Sequence, residues 1–137
     1  MVFRSPLALA AAFGAAPLLL TAQLMTATAA LADGDATHGK QIFNKCMVCH
    51  SIQVGVNKIG PSLHGVVGRK AGTLAGYEYT DAMKNSGFTW DEATLDKYLT
   101  NPRKVVPGTR MIFVGLPKEP DRLDVIAYLK QAGGTAP

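Results

Sequence analysis

The chain has 137 residues, enough for one domain and too few for two sizeable cores. Its formal charge of +4 and pI near 9.2 predict a basic surface and acidic partners. Its two cysteines stand three residues apart and leave none for a structural disulfide, so a domain this small needs another staple.

Residues 1–32 read as a cleaved secretory signal peptide. Arg4 gives a thin positive start, Pro6 to Met25 is almost uncharged and rich in Ala and Leu, and Ala30-Leu31-Ala32 offers a small-x-small peptidase site before Asp33. An uncleaved membrane anchor is the alternative, since about 20 apolar residues can span a bilayer. Gly14, Pro17 and the Ala30–Ala32 site favour cleavage. There is no twin arginine, so export of an unfolded chain is expected. Losing Arg4 takes Lys+Arg from 14 to 13 against 10 acidic residues, leaving a mature domain, 33–137, of charge +3.

Asp33-Gly34-Asp35 supplies a turn and an N-cap, and Ala36 to Cys49 is predicted as a helix. Gly39, Ile42, Phe43 and Cys46 line one stripe, with Gly39 letting another helix cross close to the backbone. The glycine-rich stretch from Ser51 to Gly76 has neither helical nor strand period and reads as loops. Thr80 to Lys84 is a short helical turn. Thr89-Trp90-Asp91-Glu92 matches a capping box for a helix through Leu95, Tyr98 and Leu99 that stops at Asn101-Pro102. A loop from Val105 to Met111 follows, rigid at Pro107 and tight at Gly108. The last helix, Asp121 to Lys130, has Pro120 in its first turn and an apolar stripe of Val125, Tyr128 and Leu129 before Gly133-Gly134 ends it. It is the expected crossing partner of Gly39.

The chemistry is concentrated in Cys46-Met47-Val48-Cys49-His50. Two thiols three residues apart share one face of a helical turn, and the following imidazole can reach a metal above that face. The motif reads as covalent haem attachment, each cysteine adding to a vinyl group and His50 binding iron. A thioredoxin-like site wants a strand before the pair, and a tetrahedral zinc site wants a fourth ligand where no further cysteine exists. A large apolar cofactor also supplies the core that so few helices lack.

In the order of its motifs, the mature chain resembles the class I cytochromes c, especially the mitochondrial-type soluble cytochromes of purple bacteria. The likeness rests on Gly39-Lys40-x-Ile42-Phe43, Cys46 to His50, Gly60-Pro61-x-Leu63-His64-Gly65, Gly68-Arg69-Lys70, Asn101-Pro102, Pro107-Gly108-Thr109-x-Met111 and Ala127-Tyr128-Leu129. It implies an all-α fold of about three main helices plus short turns and long loops around one haem c, bound through Cys46 and Cys49. It further implies Met111 as the sixth iron ligand, a soft neutral donor that favours ferrous iron. Of the other methionines, Met25 lies in the leader, Met47 in the attachment motif, and Met83 lacks the Pro-Gly loop. By the same resemblance the Pro61 carbonyl accepts the other N–H of His50, and Tyr98 and Thr109 place hydroxyls near the methionine sulfur. Arg69, Tyr79 and Trp90 match residues that hydrogen-bond the haem propionates. Asn85 matches a polar residue beside an internal water, and Phe113 a ring shielding the haem edge. The aromatics among these also serve as ordinary core. His38 is expected to face solvent and His64 to make a structural hydrogen bond in its loop.

A haem closed on both sides by His50 and Met111 suits one-electron transfer, and the chain is read as a carrier rather than an enzyme. A peroxidase or oxygen carrier would need an open sixth position, and a four-helix gas sensor carries its attachment motif near the C-terminus. Lys45, Lys58, Arg103, Lys104, Arg110 and Lys118 flank the attachment motif and the methionine loop. They are expected to ring the haem edge and steer it to acidic docking sites on membrane redox complexes. The implied partners are a quinol-cytochrome c oxidoreductase on one side and a photosynthetic reaction centre or cytochrome oxidase on the other. The expected location is the periplasm and the expected state a monomer. Nucleic acid fits the charge but not the haem.

Overall fold

A computed structural model describes residues 34–134. The leader and its cleavage site, with Asp33, lie outside the described residues. Among the described residues five helices occur in order: α1, Ala36–Phe43; α2, Asp81–Lys84; α3, Glu92–Thr100; α4, Pro102–Val105; and α5, Glu119–Gly133. Among the described residues there is no named strand, and an isolated antiparallel bridge joins Lys70 and Thr89. The three longer helices and two short turns are the all-α arrangement expected.

Asp35 caps α1 with Oδ1, which accepts the N–H groups of Thr37 at 2.8 Å and His38 at 3.3 Å. The helix buries Gly39, Ile42 and Phe43. It is shorter than expected, because after Phe43 the hydrogen bonds tighten: Asn44 donates to Gln41, Lys45 to Ile42 and Cys46 to Phe43, each three residues back. Turns then carry the chain through Cys49. Sequence periodicity does not separate the two ladders over so short a run.

The last helix runs longer than expected at both ends and buries Arg122, Val125, Ile126, Tyr128, Leu129 and Gly133. It crosses α1 at Gly39, where a Cβ would overlap the Asp124 carbonyl and come within 2.9 Å of the Tyr128 Cβ. Phe43 and Tyr128 meet beyond this point as a tilted pair with ring centroids 5.2 Å apart. Asp124 ties the crossing at its edge, Oδ1 accepting the Asp35 N–H at 2.7 Å and Oδ2 meeting His38 Nδ1 at 2.7 Å. His38 is exposed as expected, yet ion-paired.

The capping-box expectation needs correction. Thr89 is engaged in the bridge to Lys70, so the N-cap is Asp91, whose Oδ1 accepts the Thr94 N–H at 2.7 Å. Leu95, Tyr98 and Leu99 form the buried stripe of α3. Asn101 ends α3 and caps α4, accepting the Lys104 N–H at 3.1 Å with Pro102 in the first turn. That one-turn helix occupies a stretch read from sequence as a stop followed by loop. From its end a strap, 106–118, leads to α5 and carries Met111.

Candidate haem-binding site

The turns after α1 place the attachment motif. Cys49 and His50 both donate backbone N–H groups to the Cys46 carbonyl, at 3.0 and 2.9 Å, which folds the motif into one tight turn. Both thiols are free and half-buried. Burial pushes the Cys46 thiol up to about 11, with Lys45 acting weakly in the other direction. A thiol held protonated is the opposite of the activated thiolate that dithiol exchange uses, and a helix rather than a strand precedes it. Among the described residues no cluster of three or more His, Cys, Asp or Glu gathers to hold a zinc ion.

His50 is oriented by its Nδ1, which donates to the Pro61 carbonyl at 2.7 Å and leaves Nε2 as the free donor atom. Burial lowers its pKa, opposed by the Pro61 bond, so the ring is neutral and able to bind metal. Gly60 lies flat against this ring, for a Cβ there would overlap it, standing 2.8 Å from Nε2. The loop that holds Pro61 is braced at several points. Gly60 donates to the Cys49 carbonyl at 2.8 Å, Leu63 to Ser51 at 2.7 Å, and the Ser62 hydroxyl to Gln53 at 2.6 Å. Ser62, only 1% exposed, was not legible as a functional residue; its place in the Gly-Pro turn is the only signal it gives.

On the strap, the Tyr98 hydroxyl donates to Met111 Sδ at 3.5 Å and lies 3.3 Å from Thr109 Oγ1. The Met111 N–H in turn reaches Thr109 Oγ1 at 3.3 Å. Burial raises the Tyr98 pKa, so the phenol keeps its proton and remains a donor. Trp90 packs on Tyr98 with centroids 4.8 Å apart, and Phe113 is half-buried against the core.

A third group forms where residues 68–71 run beside 88–90. Trp90 donates to the Arg69 carbonyl and Gly68 to the Trp90 carbonyl, both at 2.9 Å. Arg69 extends Nη1 to the His64 carbonyl at 2.8 Å and Nη2 to the Ser62 carbonyl at 3.0 Å. Its Nε is buried with no protein partner. Tyr79 stands close enough to feel the Arg69 charge, although burial dominates and raises the phenol. A buried guanidinium N–H left alone costs about 1–3 kcal/mol or more, and a haem propionate is the acceptor that would satisfy it. The neutral Nε2, the positioned thioether and this unpaired donor together fit a haem.

Two of the expected residues sit at the surface. Asn85 is exposed and closes α2, whose buried side chain is Met83, two residues earlier. His64 contributes through its backbone, its N–H meeting Ser62 Oγ at 3.2 Å and its carbonyl accepting Arg69, while the residue is exposed. All six basic residues expected around the site are exposed, and Lys58 Nζ donates to the Met47 carbonyl at 2.7 Å.

Comparison with known proteins agrees with this geometry. The cytochrome c family model matches residues 36–133. The chain is 53% identical over 119 residues to cytochrome c2 of Rhodomicrobium vannielii, covering 85% of this chain and 94% of that protein. It is 56% identical over 99 residues to cytochrome c2 of Rhodoblastus acidophilus, covering 72% of this chain and 92% of that one. Among solved structures, cytochrome cH from Methylobacterium extorquens superposes with a TM-score of 0.68 at 47% identity, over 72% of this chain and 99% of that one. The chain therefore belongs to the cytochrome c family, electron carriers rather than enzymes, and holds one haem c covalently through Cys46 and Cys49.

Proposed function

We propose that this protein carries single electrons between membrane redox complexes, with His50 and Met111 as the two axial ligands of its haem iron. Bound haem supplies a one-electron iron couple. The chain's own residues fix how that couple is held. His50 Nε2 is freed by the Pro61 bond, Met111 Sδ accepts from the Tyr98 hydroxyl, and Thr109 Oγ1 meets both that hydroxyl and the Met111 N–H. The observation that carries the reading is that both donor atoms are already oriented by neighbours, so little rearranges when the charge on iron changes. Arg69, Tyr79 and Trp90 receive the propionates, and Phe113 covers the haem edge.

The mature protein, 33–137, follows a signal peptide of residues 1–32 and works as a monomer in the periplasm. Both relatives described above are named cytochrome c2, which supports a bacterial carrier of this kind. The donor is a quinol-cytochrome c oxidoreductase and the acceptor a photosynthetic reaction centre or terminal oxidase. Lys45, Lys58, Arg103, Lys104, Arg110 and Lys118 steer the haem edge to acidic docking sites. Reduction by the purified oxidoreductase, followed as salt is raised, tests this. The second-order rate is expected to fall by about tenfold or more on going from low to physiological salt. A rate indifferent to salt would remove the docking role of the basic residues.

A further inference from the structure

We propose that Arg122 and Asp96 form a latch that sets how firmly the strap holds Met111. They act as a positioning pair on the chain rather than on iron. Ser62 and Arg122 are the buried polar residues of the described chain, and Arg122 is 8% exposed. From α5 its Nε donates to Asp96 Oδ1 on α3 at 2.7 Å. Its Nη1 donates to the carbonyls of Leu116 and Pro117, at 2.9 and 3.0 Å. One side chain thus fastens the end of the strap to both helices.

The strap has two unequal limbs. Before Met111 it is tied repeatedly, Val106 donating to Pro102 at 2.9 Å, Thr109 to Val106 at 3.0 Å, and Met111 to the Thr109 hydroxyl. After Met111, residues 112–115 make no hydrogen bond with other described residues, and Ile112 and Val114 are 76% and 86% exposed. The next fixed points are Gly115, pressed on the Thr100 carbonyl, and Leu116, whose N–H meets the Leu99 carbonyl at 2.8 Å. Arg122 holds that point. Releasing it gives Met111 slack, and the population with the thioether detached rises without the helices unfolding.

A second ion pair supplies the control. Lys130 Nζ meets Glu92 Oε1 at 2.6 Å, joining the same helices away from the strap. The inference rests on Met111 as axial ligand, and the test separates the two ideas. The ferric holoprotein is titrated with imidazole, which enters only when Met111 leaves, so its apparent affinity reports the detached fraction. The readout is loss of the weak far-red band that thioether ligation gives ferric haem.

Asp96→Asn is expected to raise imidazole affinity by about tenfold, the scale of one charge-assisted hydrogen bond. Arg122→Lys, which keeps the charge but loses the fork that reaches two carbonyls, is expected to do the same and decides the matter if the first variant fails to fold. Glu92→Gln is expected to stay within about twofold of the parent, since its pair does not touch the strap. Asp96→Asn or Arg122→Lys matching Glu92→Gln would overturn the latch. A parent protein without the far-red band, or Met111→Ala binding imidazole no tighter than the parent, would instead overturn Met111 ligation.

Discussion

Gly39→Ala tests the helix crossing on which the domain closes. The residue is helical and its backbone conformation suits alanine, so by propensity alone the substitution would stabilise by about 1 kcal/mol. Packing acts against it. The added methyl would overlap the Asp124 carbonyl and stand 2.9 Å from the Tyr128 Cβ, groups set by the backbone of α5 that no rotamer change can move. Overpacking costs about 1–3 kcal/mol, and a clash with backbone belongs at the upper end. About 3 kcal/mol lost against about 1 gained leaves a destabilisation of about 2 kcal/mol, or roughly 10 °C in Tm for a domain of this size. Parting α1 and α5 also disturbs the Phe43–Tyr128 ring contact and the Asp124 contacts with Asp35 and His38. Thermal unfolding of the ferric holoprotein, followed by helix signal, measures the change. A variant as stable as its parent or more so would refute the reasoning, because propensity would then have outweighed the crossing.

On the proposed Met111 ligation, Tyr98→Phe removes the hydroxyl that draws density from Met111 Sδ and so leaves the thioether a better donor to ferric iron. A redox titration is expected to show the midpoint potential lower by on the order of tens of millivolts. His38 has a pKa raised above its ordinary 6.5, chiefly by the Asp124 hydrogen bond, with Asp121 and Asp35 adding smaller pulls. A raised folded-state pKa gives stability that is full below the ordinary value and lost as pH rises through the folded one. The denaturation midpoint of the parent should therefore exceed that of His38→Gln most clearly near pH 5.5 and converge on it by about pH 8; a gap that widens with pH would contradict the pair. Gly60→Ala drives a methyl into the His50 ring and should lower the Tm of the holoprotein by roughly 5–10 °C, with the His50–Pro61 bond disturbed.

Much of this was written plainly in the chain. Cys46 to His50 announces its chemistry through fixed spacing, and Gly39 on an apolar stripe announces a close crossing. Asp35 and Thr80 cap α1 and α2 as their residue types predict. The misses have physical causes. Thr89 has the right spacing for a cap, but a long-range bridge to Lys70 takes it, and Asp91 does the work two residues later. The Asn101-Pro102 pair both stops α3 and starts α4, a double role that a breaker signal alone does not convey. Arg122 was legible in principle, since it shares the buried face of α5 with Val125, Ile126 and Leu129. A charge on such a face calls for a partner, but which carbonyls and which carboxylate answer it depends on chain segments that meet only in the folded state.

The central claim is that a haem fixed to Cys46 and Cys49 has its iron held between His50 and Met111. The far-red absorbance of the purified ferric protein beside that of Met111→Ala tests it most directly. The parent should show the weak thioether band at neutral pH and the variant should lose it. A parent without that band, or a variant that keeps it, would mean that a different side chain closes the site.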